Sequence, residues 1–243
     1  MTKKIDSVFI LGATSLIARS LCLELAKSGC KKFHLISKKI EDNKYFVEDL
    51  HRTFNIEVNQ EEIDIYENFL KNKVLEKYEE FDLYIILVGY LGNEKKARFD
   101  IDESYKISII NYLGIIQWID TISNNERINK AGRLWIFTSV AGDKGRPSNY
   151  HYGASKSALI THCEGLYYRC YKKPFKIRII KPGFMATPMS EGKAPKMLCI
   201  SPNEVAKTLL KNPNKEGIEY LPFWWSVIML IIRFLPRKII NKL

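Results

Sequence analysis

The chain has 243 residues, enough for one large α/β domain that buries a substantial core without disulfides. Its five cysteines (Cys22, Cys30, Cys163, Cys170, Cys199) are odd in number and form no C-x-x-C pair, which reads as reduced thiols in a cytosolic compartment. A formal net charge of +11 points to an anionic partner: nucleotide phosphates, a phospholipid surface or nucleic acid. The lysines are scattered rather than blocked, so much of that charge is solvated surface. No basic block interleaved with aromatics lies outside the tail, which excludes nucleic acid.

The opening M-T-K-K-I-D-S runs straight into a strand and leaves no room for a signal peptide. Val8–Leu11 reads as a short buried strand. Gly12-Ala13-Thr14-Ser15 turns the chain, and Leu16–Lys27 has helical apolar spacing that stops at Gly29. Phe33–Ile36 is a second strand, and the charged stretch Tyr45–Phe54 is a helix. A third strand covers Val58–Ile65, a helix Phe69–Tyr78, and a fourth strand Leu83–Val88. Continuous apolar runs of this kind belong to a parallel sheet buried on both faces. The pattern Ser104–Ser123 is a long helix, Leu134–Thr138 a fifth strand, Tyr152–Tyr171 a helix and Lys176–Ile180 a sixth strand. Ser201-Pro202-Asn203-Glu204 places an N-cap serine, proline at N1 and glutamate at N3. Ile218–Leu221 reads as a seventh strand. Strands alternating with helices predict a single-domain, doubly wound α/β Rossmann sheet of about seven parallel strands.

The chemistry concentrates in S-V-A-G-D-K-G-R-P-S-N-Y-H-Y-G-A-S-K, from Ser139 to Lys156. Ser139 sits at a strand's carboxyl end. Tyr152 and Lys156 share a helix face, one turn apart. A free phenol titrates at about 10, and a neighbouring ammonium favours its ionised form, so Lys156 is expected to bring Tyr152 into the range of a usable acid or base. Ser139 then holds a substrate carbonyl while Tyr152 supplies the proton. A second Tyr-x-x-x-Lys occurs at Tyr168 and Lys172, with Ser155 thirteen residues before it. Ser155 lies inside a helical pattern rather than at a strand end, so the first set is preferred.

At these residues the sequence resembles the short-chain dehydrogenase/reductases, over about residues 5 to 222. The resemblance implies Asn111, Ser139, Tyr152 and Lys156 as the catalytic set. It implies cofactor contacts from Gly12, Thr14, Ser15 and Ile17 in the first β-α turn, where Leu16 and Ala18 stand in place of the family's second and third glycines. Tyr152 and Lys156 also reach the nicotinamide side, Asn111 holds the lysine through water, and Asp64 contacts the adenine. Gly89 is what remains of the family's Asn-Ala-Gly. Pro182, Gly183, Met185 and Thr187 form the segment beside the nicotinamide, with Thr187 either on the carboxamide or a plain turn threonine. Ser37, Lys38 and Lys39 end the second strand. No carboxylate stands where an NAD enzyme binds the ribose hydroxyls, and Lys38 fits the basic position of NADP-dependent relatives. The alternative is a pair of solvated lysines.

From Tyr220 the chain carries no acidic residue, and its apolar core from Phe223 to Ile232 is about half of what spans a bilayer. Tryptophans at one end and Arg233, Arg237, Lys238 and Lys242 at the other suit a segment lying in a membrane interface, with Trp224 and Trp225 at headgroup level. The alternative is a last helix packed on the protein's own core or on a dimer partner. The chain therefore divides into a reductase domain, 1–222, and an apolar, basic tail, 223–243. G-A-T-S-x-I-A, G-Y-L-G-N, S-V-A-G, Y-G-A-S-K, P-G-F-M-x-T-x-M and F-L-P-R-K-I-I together look like the decaprenylphosphoryl-2-keto-ribose reductases. That resemblance implies NADPH-dependent reduction of the 2-keto group of a polyprenyl-phosphate-linked pentose, on the cytoplasmic face of the membrane. A partner oxidase supplying the ketone, or a homodimer or tetramer, fits the same reading. The rival substrates are ketoacyl, steroid or long-chain amino ketones, and the rival outside enzymes is an NADP-binding regulatory protein.

Overall fold

The computed structural model describes residues 4–70, 80–125, 132–190 and 195–241. Seven strands form one sheet in the order β3-β2-β1-β4-β5-β6-β7: β1 Ser7–Leu11, β2 Lys32–Ser37, β3 Glu57–Glu62, β4 Leu83–Ile86, β5 Arg133–Phe137, β6 Lys176–Pro182 and β7 Gly217–Leu221. Every pairing is parallel. Alternate side chains of each strand feed opposite layers. Val8 and Ile10 of β1 pack against α1 (Leu16–Lys27), α2 (Lys44–Phe54) and α8 (Pro202–Lys211). Phe9 and Leu11 pack against α3 (Ile65–Leu70), α6 (Gly114–Asn124) and α7 (Tyr150–Arg169). This is why β1, β4 and β5 read as unbroken apolar runs. The strand order reverses between β1 and β4, and the crevice at such a switch point is where doubly wound sheets bind ligands.

Several boundaries differ from the sequence reading for local reasons. β3 ends at Glu62 rather than running to Ile65, because Asp64 Oδ1 accepts the Tyr66 amide at 2.9 Å and starts α3 at Ile65. That moves the helix expected from Phe69 forward, and its expected residues 71–78 lie outside the described ones. A short helix not expected from the sequence, α4 (Glu94–Ala97), precedes α5 (Ile101–Ser108), which Asp100 caps through the Asp102 amide at 2.9 Å. The long helix expected over Ser104–Ser123 is α5 and α6 joined by a π-helical turn, Ile109–Leu113. Ser201 and Glu204 form the expected capping box on α8. All five cysteines are free thiols.

The tail forms α9 (Trp225–Phe234) and α10 (Arg237–Ile240). One face of α9 packs on the protein: Trp225 and Met229 are buried with Val140, and Phe184, Tyr220, Ile228 and Ile232 surround them. The placing of Trp225 at a membrane headgroup is therefore corrected, since its indole is only 4% exposed. Phe223, Trp224, Val227, Leu230, Ile231 and Phe234 stay exposed. Among the described residues no helix is long and apolar enough to cross a membrane.

Candidate active site

A cavity of about 670 Å³ opens at the carboxyl ends of the strands, across the switch point. Its floor is the turn after β1. Gly12 has φ +94°, and a Cβ there would stand 3.0 Å from the Leu87 carbonyl carbon and the Val88 nitrogen, so only glycine fits. The Gly12 and Ala13 amides donate to Ile36 O at 2.9 and 3.0 Å, tying the turn to the end of β2. Ser15 Oγ accepts the Ile17 amide at 3.2 Å and caps α1, whose amino end faces the cavity. A capped helix start beside a glycine turn is an anion cradle, so this end fits the pyrophosphate of a nicotinamide dinucleotide.

Of the residues assigned from sequence to cofactor binding, Gly12, Thr14, Ser15, Ile17, Ser37, Lys38, Asp64, Gly89, Tyr152, Lys156, Pro182, Met185 and Thr187 all line the cavity. Lys39 and Gly183 do not. Ser37 Oγ donates to Lys39 O at 3.0 Å, a bond that uses only the backbone of an exposed lysine. Gly183 is covered by the tail: a Cβ there would fall 1.9 Å from Trp225 Nε1. Lys38 Nζ pairs with Asp64 Oδ2 at 2.7 Å. Partial burial raises the Asp64 pKa, but Lys38 and the Tyr66 and Glu67 amides outweigh it and hold the carboxyl below its usual range.

At the other end stand Tyr152 and Lys156, both on α7 and both buried. Ser139, in extended backbone just past β5, caps the turn Val140–Gly142 by accepting the Ala141 amide at 3.1 Å, and it hydrogen-bonds Tyr152. Two glycines let that turn press on α7. A Cβ at Gly142 would meet Ser157 N at 2.8 Å and one at Gly153 would meet Ala141 O at 2.9 Å. Lys156 Nζ lies 5.9 Å from the Tyr152 ring centroid and donates to Val88 O at 3.3 Å.

The electrostatics differ from the sequence reading. Burial pushes the Tyr152 phenol up to about 12, against which the Ser139 hydrogen bond acts in part. Burial also brings the Lys156 ammonium down to about 8. The expected lowering of the phenol by the lysine is corrected, because loss of water disfavours both charged forms and only the Ser139 hydrogen bond acts against it at the phenol. A neutral phenol at pH 7 is a proton donor, which is the form a reduction uses.

Asn111 is fully buried in the π-helical turn. Its Nδ2 donates to Ile107 O at 2.8 Å and to Tyr90 O at 2.6 Å, and its Oδ1 accepts the Tyr90 amide at 3.0 Å. It thus clamps the backbone of the Gly89–Tyr90 loop, which also carries the carbonyl that takes Lys156. Asn111 meets the site through that loop's backbone, and neither it nor Ser139 is in the cavity wall itself.

The second Tyr-x-x-x-Lys is elsewhere. Tyr168 is 69% exposed, and Ser155 Oγ donates to Tyr152 O at 2.8 Å within α7. Among the wall residues that sequence reasoning did not assign to the site are Leu87, Val88, Tyr90, Lys106 and Met189. Val88 contributes a backbone carbonyl that no residue type announces. Tyr90 sits in a G-Y-L-G-N loop whose aromatic was the available signal.

A doubly wound parallel sheet with a tyrosine and a lysine in the wall of the switch-point cavity, and a strand-end serine beside the tyrosine, defines a Rossmann-type oxidoreductase architecture. The chain belongs to the short chain dehydrogenase family, whose profile matches residues 6–198. An uncharacterized oxidoreductase of Mycobacterium tuberculosis is 27% identical over 160 residues, 65% of this chain and 64% of that protein. The match thus spans less than two thirds of that relative's length. A 3-oxoacyl-[acyl-carrier-protein] reductase of Synechocystis is 22% identical over 186 residues, 75% of each chain. Among solved structures, a 7β-hydroxysteroid dehydrogenase superposes with TM-score 0.73 at 16% identity, covering 89% of this chain and 87% of that one. An actinorhodin polyketide ketoreductase with NADPH superposes at 0.70 and 19%, covering 87% and 91%.

Proposed function

We propose that the protein is an NADPH-dependent reductase that converts a ketone to an alcohol. The observation that carries the reading is the buried Tyr152–Lys156 pair in the wall of the β1–β4 cavity, with half-buried Ser139 at the end of β5 beside the phenol. The Gly12–Ile17 turn and Lys38 would hold NADPH, which when bound would supply hydride for the carbonyl carbon. Ser139 orients the carbonyl oxygen, and neutral Tyr152 gives it a proton. Lys156, held by Val88 O and the Asn111-clamped loop, keeps a positive charge beside the phenol as it loses that proton. Lys38 at the adenine end, with no strand-end carboxylate on β2, supports the phosphorylated cofactor.

The substrate reading is the 2-keto group of a pentose linked to a polyprenyl phosphate, met at a membrane surface in cell-envelope polysaccharide synthesis. The sequence resemblance and the exposed apolar face of α9 support it. Extracting a polyprenyl chain into water costs about 0.8 kcal/mol per methylene, so an enzyme lying on the lipid surface avoids that expense. The ketoacyl substrate named for the Synechocystis relative is the second reading.

NADPH oxidation in the presence of the lipid-linked ketose tests both parts. Tyr152→Phe keeps the ring and removes the proton, so turnover falls by a factor on the order of 10²–10⁴, with NADPH binding retained. Tyr168→Phe leaves turnover unchanged. Loss of activity in Tyr168→Phe with retention in Tyr152→Phe overturns the assignment, and turnover of ketoacyl thioesters alone selects the second reading.

A further inference from the structure

Three lysines line the cavity: Lys38, Lys106 and Lys156. Two have oxygen partners. Lys38 is held by Asp64 at 2.7 Å, and Lys156 donates to Val88 O at 3.3 Å. Lys106, half-buried in the last turn of α5, has no oxygen partner among the described residues. Its ammonium instead rests over the Tyr90 ring, 5.1 Å from the centroid. The nearby acid is otherwise engaged: Glu103 Oε1 accepts the Tyr90 hydroxyl at 3.0 Å and the Asn93 amide at 2.8 Å. Asp64, spent on Lys38, is the only carboxylate in the described wall.

The perch lies toward the catalytic end. Tyr90 follows Gly89, whose Cβ position stands 3.9 Å from Lys156 Nζ and 3.8 Å from Met189 Cε. The dinucleotide's anionic groups have their own cradle at Gly12–Ile17. An ammonium on a ring face keeps its donors and sits on a flexible four-carbon stem. A phosphate oxygen is a stronger partner for it than the ring.

We infer that Lys106 forms an anion subsite for a phosphate group carried by the ketone substrate. This rests on the reductase reading of the same cavity, and it specifies the substrate class as a phosphate-bearing ketone.

The test is binding rather than turnover, so that its failure is separable from failure of that reading. Ribulose 5-phosphate and ribulose, the same ketose with and without phosphate, are titrated into protein saturated with NADP+. The subsite predicts that the phosphate ester binds roughly tenfold to a hundredfold more tightly. Lys106→Ala and Lys106→Gln lose that preference, Lys106→Arg keeps most of it, and ribulose affinity changes less than about twofold in all three. NADP+ affinity is measured on each variant in parallel. No preference in the unsubstituted protein, or a preference that survives Lys106→Ala and Lys106→Gln, overturns the inference. A matching loss of NADP+ affinity overturns it as well, by assigning Lys106 to the cofactor's phosphates. Loss of the phosphate preference, in a protein that reduces no ketopentose, upholds the subsite and defeats the substrate reading instead.

Discussion

At the scale of the residue, the site is built from groups whose charged forms burial disfavours. Lys156 illustrates the sign. Its folded pKa of about 8 lies below the ordinary lysine value of about 10.4. Below pH 8 folded and unfolded chains both hold the proton, and the fold carries the full penalty. Between the two values the unfolded chain binds more protons, so this group makes stability rise with pH. Lys156→Met removes the charge and keeps the bulk. The expected result is a fold about 1–4 kcal/mol more stable than the parent at pH 7, seen as a higher melting temperature, with the gap closing toward pH 10 and activity lost. In the parent, reduction slows as pH rises through about 8, where the ammonium loses its proton. A variant that melts lower at pH 7 shows that its partners stabilise the ammonium more than burial costs.

At the scale of the element, two packed contacts connect the tail to the catalytic apparatus. Asp143, just beyond the Val140–Gly142 turn, is buried and takes Lys181 from β6, the Tyr220 hydroxyl from β7 at 2.7 Å and Arg233 from α9 at 3.5 Å. Burial, and then that carboxylate, push the Tyr220 phenol upward. The second contact is Trp225 on Gly183. An added Cβ would lie 1.9 Å from the indole nitrogen, so Gly183→Ala must expel the ring. The expected loss is about 3–5 kcal/mol, the range for removing a buried aromatic, read from denaturant unfolding with a red shift in tryptophan emission. In a Trp225→Ala background the same Gly183→Ala substitution adds little, because the two residues are coupled. Equal costs in both backgrounds rule out the contact.

At the scale of the whole molecule, α9 divides into two faces with separate consequences. Removing residues 223–243 strips Trp225 and Met229 from the fold, so truncation confounds stability with any surface role. The informative change is on the outer face. Val227 and Ile231 are both more than half exposed, and Val227→Glu with Ile231→Glu is expected to leave the unfolding free energy within about 0.5 kcal/mol of the parent. Under the proposed membrane role it abolishes sedimentation with anionic liposomes, where Arg237 and Lys238 add about 1 kcal/mol each. Unchanged sedimentation, or none in the parent protein, removes that role from α9.

The β-α alternation, the parallel sheet and the pairing of Tyr152 with Lys156 were legible in the chain itself. Apolar runs buried on two faces and a four-residue helical spacing are local patterns, and local patterns survive in one dimension. The decoy at Tyr168 could be set aside for the same reason, since its serine falls inside a helix. What the chain did not determine depends on distant segments meeting. Asn111 sits in a π-helical turn clamping a loop twenty-one residues away, Lys106 meets Tyr90 inside the cavity, and Gly183 is glycine because a tail indole lies on it. The direction of the Tyr152 pKa belongs to the same class. Proximity to a lysine can be read from spacing, but the water removed from both groups is set by everything packed around them, and here that term is the larger one.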